Sequence, residues 1–302
     1  MTSVADRGSV AGSGRSPDES GAGPPGSSRI GAGNVSLLAL AGLFAVFLAL
    51  PVLALVVRSL IDGSLAGAAA SSAVMGALGL SLATTAASVL LTVAIGLPLA
   101  IVLARRSFRG KWLVEAIVDL PIVLPPSVAG LALLLVLGRR GLLGGPLSDA
   151  GLEVAFTTAA VVLAQTFVSA PFFVRSARAG IAGVSRDLED AARVDGASEA
   201  QLFRLITVPL ASAALAGGLV MTWARALGEF GATIMFAGNF EGRTQTLPLV
   251  VYSEFQAGHL DGSIAAAAIL VVAALAVLVA VRAFHWGRAL DRSVGGRLQG
   301  ER

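Results

Sequence analysis

Six apolar stretches, at roughly residues 35–57, 78–104, 118–137, 156–174, 209–237 and 264–281, alternate along the chain with shorter polar segments that carry most of its charge. Each is close to the ~20 residues an α-helix needs to cross the hydrocarbon of a bilayer. The pattern predicts an all-α polytopic membrane protein with about six transmembrane helices. Residues 1–34 are rich in Gly, Ser, Pro, Arg and Asp and hold almost no large apolar side chain, so they cannot bury enough surface to offset ordering and read as a disordered tail. The first apolar run starts too late and is too long to be the core of a secretory signal. The expected division is a tail at 1–34, a transmembrane domain at 35–285 that includes a polar segment at 185–209, and a C-terminal tail at 286–302.

Composition supports this class. Of 302 residues, 55% are hydrophobic, and a mean hydropathy of +0.81 exceeds what a soluble core of this size uses. The lipid bilayer is therefore the first partner. Absence of cysteine excludes disulfides, thiolate metal sites and cysteine nucleophiles, and His259 and His285 make no metal-ligand spacing. A pI near 10.4 raises nucleic acid as a partner, but the basic residues are scattered between spans rather than gathered on one face. Topology accounts for them instead. Seventeen of the 22 basic residues fall in 1–34, 105–111, 175–204 and 282–302; Arg58, Arg139, Arg140 and Arg243 fall opposite, and Arg225 lies inside a span. The positive-inside rule then predicts that both termini and the 175–208 loop face the cytoplasm.

That loop holds the most informative stretch, EDAARVDGASEAQLFRLITVP at 189–209. Asp187, Glu189 and Asp190 open a helix whose free N–H groups favour negative charge. Ala191 and Ala192 are strong helix formers, Gly196 permits a chain reversal, and a second helical run follows from Ser198 to Leu205. Leu202, Phe203 and Leu205 are candidate apolar anchors for a partner's groove; the plainer alternative is an amphipathic helix lying on the membrane. The spacing of Asp190, Ala191, Ala192, Gly196, Ile206 and Pro209 resembles the coupling segment of ABC-transporter permeases, with Asp190 where that family has Glu and Glu189 one place earlier. The resemblance implies that Glu189, Asp190, Ala191, Ala192, Gly196, Ile206 and Pro209 belong to the contact with a cytoplasmic ATPase.

Three further features sit in or beside the spans. In LPIVLPPSVAG (120–130), Pro121, Pro125 and Pro126 remove backbone donors and interrupt the helix, which is tolerated at this depth where backbone faces protein or a water-filled path. In the fifth span, Arg225 and Glu229 stand four apart on one face and can pair; an ionisable residue here is a functional candidate by default, while mutual neutralisation inside the bundle is the structural alternative. Ala224, Ala226, Gly228, Gly231 and Ala232 make a small-residue surface suited to close helix contact. Pro125, Pro126, Arg225, Glu229 and Thr233 are thus the candidate pathway or gate residues. On the outer side, Asn239, Arg243, Thr244, Gln245 and Thr246 offer donors that suit a hydrated oxyanion.

No GxxxxGK[ST] loop occurs, so transport powered by ATP requires the nucleotide site, with its ATP and Mg, on another chain; HExxH and GxSxG are also missing. No cofactor is expected on this chain.

DLPIVLPPSVAG (119–130), ARALGEFGATIMFAGN (224–239) and GRTQTLPLVVY (242–252) together resemble the permease subunit of molybdate ABC importers over about residues 81–281. Sulfate and thiosulfate permeases share the GEFG element and the proline-rich span and stand as the alternative, while the TQTLPL wording is more similar to the molybdate branch; tungstate is not distinguished from molybdate. The resemblance implies a type I ABC importer permease fold and a homodimer forming the pore. It also implies two cytoplasmic ABC ATPase subunits, an extracytoplasmic oxyanion-binding protein and residence in a prokaryotic plasma membrane. The shorter Asp190 side chain leaves open that Glu189 makes the ion pair to an ATPase arginine. The competing class is a stand-alone channel or secondary transporter using Arg225 and Glu229 as a relay, which leaves the coupling segment without a use. A bulky residue in place of Gly196 is expected to abolish ATPase docking more completely than loss of either acid; recovery of an intact complex with that variant overturns the assignment.

Overall fold

The computed structural model describes residues 32–299, with side chains described for 37–279. Among them every regular element is helical: α1 Ala32–Ile61, α2 Ser64–Ala70, α3 Ser72–Arg105, α4 Lys111–Val123, α5 Pro126–Leu137, α6 Gly144–Asp149, α7 Thr158–Ala182, α8 Arg186–Val194, α9 Glu199–Leu202, a π-turn at Phe203–Thr207, α10 Val208–Leu227, α11 Gly231–Phe236, α12 Leu247–Gln256 and α13 Leu260–Gln299. The expected tail at 1–34 lies outside the described residues except for its last three, which begin α1, and 286–299 continue α13 as helix. The chain divides after Ala49. The first unit contributes the opening turns of α1, whose Leu and Phe side chains are exposed; the second holds everything below.

Five helices are long and apolar enough to cross a membrane, and α4 with α5 pass the same test as a pair bent by 117°. The third expected span is therefore two half-helices. The residue before a proline is pushed out of helical geometry, and Leu124 and Pro125, each preceding one, are extended (ψ 134° and 135°). The pair still crosses once. α3 and α7 run parallel, with Gln165 Nε2 donating to Thr85 Oγ1 (3.5 Å), Thr166 Oγ1 to Ser88 Oγ (3.1 Å) and Arg105 to the Val184 carbonyl (3.3 Å). The chain leaves α3 at Arg105 on the Val184 end and must enter α7 at Thr158 on the opposite end, so α4 and α5 carry it across. Counted this way, the described chain has six crossings.

α7 is the central strut. α10 packs antiparallel along it, Ser176 Oγ donating to the Ala214 carbonyl (2.6 Å) and Thr222 Oγ1 to the Ser169 carbonyl (3.4 Å). In lipid there is little hydrophobic force between helices, so close packing of small residues and polar contacts hold them, each polar contact contributing about 0.6 kcal/mol. The fifth expected span also breaks. α10 ends at Leu227 and α11 begins at Gly231, so the half of the membrane domain away from the Arg105–Val184 end contains the short pieces α5, α11 and α12.

α5 and α11 meet backbone to backbone. A Cβ on Gly130 would stand 2.5 Å from the Ala232 carbonyl oxygen and 2.9 Å from Met235 Cβ; one on Gly231 would stand 2.8 Å from Pro126 Cβ. Gly130→Val is therefore expected to separate the two half-helices at a cost of about 1–3 kcal/mol. Thermal unfolding of the detergent-solubilised protein should fall by several degrees, whereas Gly76→Ala, where a Cβ meets nothing within 4 Å, should not shift it.

Candidate functional site

The polar segment forms an elbow. Ser185 caps α8 through the Asp187 N–H (3.2 Å), and Asp187 and Glu189 occupy its first turn. Gly196 turns the chain at φ +86°, where a side chain would be strained although it would meet nothing within 4 Å. Ser198 and Gln201 then make a capping box that starts α9. Arg193 fastens the two arms, reaching Asp190 (2.7 Å) on one and Glu199 (2.8 Å) on the other. Glu199 first and Asp190 second hold its guanidinium well above the usual arginine value.

Glu189 faces inward. It is 4% exposed, accepts from Thr207 Oγ1 in the π-turn (3.0 Å), and forms an ion pair with Arg105 at the end of α3. Arg105 also donates to the Val184 carbonyl at the end of α7. One buried carboxylate thus ties the elbow to the adjoining ends of α3, α7 and α10, and it is not available for an ion pair with another chain. Asp190 is exposed and paired with Arg193. Of the expected anchors, Leu202 is buried at 4% and Phe203 half-buried, so they pack inward; Leu205 is exposed, together with Leu188, Ala191, Val194 and Gly196. Ala192, Ile206 and Pro209 are half-buried. Arg105 and Thr207 escaped the sequence reading because their role depends on elements about 84 and 18 residues from Glu189 meeting it.

The second site is the break between α10 and α11. Glu229 is 1% exposed; its Oε1 accepts the Ala232 N–H (2.7 Å), and its Oε2 lies 2.5 Å from Arg225 Nη1. The carboxylate both neutralises the arginine and caps α11. A cavity of about 380 Å³ is lined by Pro126, Ser127, Arg225 and Gly228 to Gly231, joining the α4–α5 break to this one. Pro126, Arg225 and Glu229 are thereby brought together, with Pro125 exposed at the start of α5. Thr233 is fully buried, so it does not face this cavity. The small residues divide: Ala224 and Gly228 are exposed, Ala226 and Ala232 fully buried, and Gly231 lies against Pro126.

The loop at 239–246 is partly buried. Thr244 and Thr246 are buried, Thr244 Oγ1 accepts the Phe240 N–H (3.0 Å), and Asn239 donates to Ser253 Oγ (2.7 Å). Thr244 and Asn239 thus brace the loop, whereas the buried Thr246 Oγ1 has no hydrogen-bond partner; Arg243 is exposed and Gln245 half-buried. Among the described residues no group of three or more His, Asp or Glu is placed to hold a metal.

A model of the family described as binding-protein-dependent transport system inner membrane component matches residues 96–294. The chain is 41% identical over 170 residues to the probable transport system permease protein NifC of Clostridium pasteurianum, covering 56% of this chain and 59% of that protein. It is 38% identical over 199 residues to the molybdenum transport system permease protein ModB of Escherichia coli K12, covering 66% and 86%. It is also 38% identical over 180 residues to the sulfate transport system permease protein CysW of Synechococcus elongatus, covering 60% and 63%. In fold it is similar to a chain of a bacterial ABC transporter that imports alginate (TM-score 0.66, 20% identity, 83% of this chain and 93% of that one).

Glu189→Ala is expected to cost about 3 kcal/mol, because it leaves Arg105 and Thr207 without their buried partner. Hydrogen exchange should accelerate across 186–207. Asp190→Ala, which removes one exposed pair, should change stability by at most about 0.5 kcal/mol.

Proposed function

This chain belongs to the family of binding-protein-dependent transport system inner membrane components, and from that membership we propose that it is the permease subunit of an ATP-driven importer of molybdate or tungstate. Two copies form the pore in a prokaryotic plasma membrane with their termini in the cytoplasm. Two cytoplasmic ATPase subunits supply the ATP and Mg sites, and an extracytoplasmic binding protein delivers the oxyanion.

The observation that carries this reading is the elbow. Its outward side offers Leu188, Ala191, Val194 and Gly196, small and apolar groups that a folded partner can cover. Its inward side is tied by Glu189 to three long helices. A push on α8 by closing ATPases is therefore delivered to α3, α7 and α10 as a unit. A stand-alone channel has no use for such a joint. Within the fifth span, the Arg225–Glu229 pair supports a structural role better than a proton relay, because Glu229 Oε1 accepts the Ala232 N–H and caps α11, while Oε2, which accepts no hydrogen bond, lies against the Arg225 guanidinium as its counter-charge.

The oxyanion reading draws on the molybdenum permease resemblance, and sulfate stands as the second reading because the sulfate permease matches at the same identity as the Escherichia coli protein. The chain spans 59% of the length of the Clostridium pasteurianum permease, and the whole importer's activity is part of the proposal. The test is ATP hydrolysis by this chain reconstituted with its ATPase and binding protein. Stimulation by molybdate and tungstate but not sulfate is the expected result. Stimulation by sulfate alone moves the cargo to the sister branch, and failure to form a stable complex with any P-loop ATPase overturns the importer reading.

A further inference from the structure

One face of α7 changes its neighbours halfway along. In its outer half, Val161, Ala164 and Val168 pack with Ala129 of α5 and with Ala232 and Phe236 of α11. At about 100° per residue the same face continues through Phe172, Arg175 and Ala179. There α5 and α11 have ended, and the face is open: Arg175 and Ala179 are exposed and Phe172 half-buried. α4 borders it on one side, with Asp119 3.4 Å from Arg175 and Glu115 3.0 Å from Arg178. α10 borders it on the other, presenting an exposed stripe of Ala213, Gly217, Met221, Ala224 and Gly228. Above it lies the cavity that joins the two helix breaks.

An open face inside a span, carrying a guanidinium whose side chain is 61% exposed, is not a lipid-facing surface, since an intramembrane charge is retained where it meets water or a partner. By the register of α7 against α10, Arg175 stands about 14 Å inward from the level of Arg225 and about 14 Å short of Val184, at 1.5 Å per residue. Lys111, 3.9 Å from Glu115, completes a ladder of three cations and two carboxylates between α4 and α7.

We propose that Arg175 is an anion station in a water-filled inner vestibule, which receives the oxyanion after it passes the Arg225–Glu229 level, and that Asp119 is the competing counter-ion that sets how briefly it is held. The assignment rests on the oxyanion reading above. A guanidinium presents several donors in one plane and can turn from a carboxylate to an oxyanion without leaving its place. Conduction needs a site that binds well enough to admit its ion and weakly enough to release it. An arginine already paired with an exposed carboxylate meets both conditions.

The test measures equilibrium binding of radiolabelled molybdate to the nucleotide-free complex of permease and ATPase in proteoliposomes, beside its uptake with binding protein and ATP. Asp119→Asn is expected to tighten binding about tenfold, the scale of one nearby opposing charge in a partly hydrated site, and to slow uptake. Arg175→Gln is expected to abolish binding, and the double variant to resemble Arg175→Gln. A merely structural ion pair predicts the contrary: both single variants weaken assembly alike and the double restores it, with no opposite-signed change in binding. If Arg175→Gln does not assemble, Asp119→Asn decides by itself. Unchanged or weaker binding in Asp119→Asn, with the wild type still importing molybdate, overturns the station and leaves the importer reading standing. A wild-type complex that imports no oxyanion overturns that reading instead.

Discussion

A helix that stops inside a bilayer leaves backbone donors and acceptors that no water will meet, and the outer half of this protein is organised around answering that constraint. Each short helix there answers it differently. α5 begins with two prolines, which bring no N–H to satisfy. α11 is capped by the Glu229 carboxylate, which is itself neutralised by Arg225. α12 receives its cap from outside, the Leu247 N–H donating to Ser81 of α3 at 2.7 Å. Once the ends are satisfied, Gly130 and Gly231 let α5 and α11 close to backbone contact, and the two breaks fall side by side. The cavity between them follows from the caps.

The inner half is built on the opposite plan. α3, α7 and α10 run unbroken through it, and their ends are gathered by a single carboxylate. Glu189 bears this load because a buried charge with two partners holds direction as well as distance: moving α8 without moving α3 separates Glu189 from Arg105, which is costly in proportion to burial. The exposed Arg193 pairs, in contrast, set only the angle between α8 and α9.

The sequence carried the spans, the elbow and its Gly196 turn plainly, because each is encoded in local periodicity, caps and breakers. It also marked the break between α4 and α5 through Pro125 and Pro126, whereas Gly228 read only as part of a small-residue contact face in a continuous fifth span, and the break there came from the structure. What it did not carry was direction. Glu189 and Asp190 are adjacent acids with equal claims in the chain, and only the arrival of Arg105 and Thr207 from distant elements assigns one inward and the other outward. Thr244 and Thr246 read as donors for a ligand because outer loops are polar; in place both are buried, and Thr244 accepts the Phe240 N–H within the loop. Arg175 and Arg178 read as loop charges from their position after the fourth apolar run, and the helix in fact extends past both, to Ala182. Hydropathy ends a span where charge begins, whereas the helix ends where its hydrogen bonding does.

That extension bears on how a pore can be polar without being sticky. A unit cation and a dianion 4 Å apart attract by about 8 kcal/mol at an effective dielectric of about 20, and a lone arginine on the path would hold its cargo far longer than a transport cycle permits. Arg225, Arg175 and Arg178 instead each have a carboxylate within 3.4 Å. The carboxylate offsets much of that attraction, and it does so locally, so that a tetrahedral anion exchanges one partner for another as it moves and does not fall into a well. The pairs differ in burial in the order this requires. Glu229 is enclosed and capping, which fixes Arg225 as part of the outer structure, while Asp119 is 39% exposed and can be displaced. A path with its fixed pair outside and its exchangeable pair inside takes up charge from the outer side reluctantly and lets it go toward the elbow easily. The proposed importer, loaded from outside by a binding protein and emptied by diffusion, needs that asymmetry.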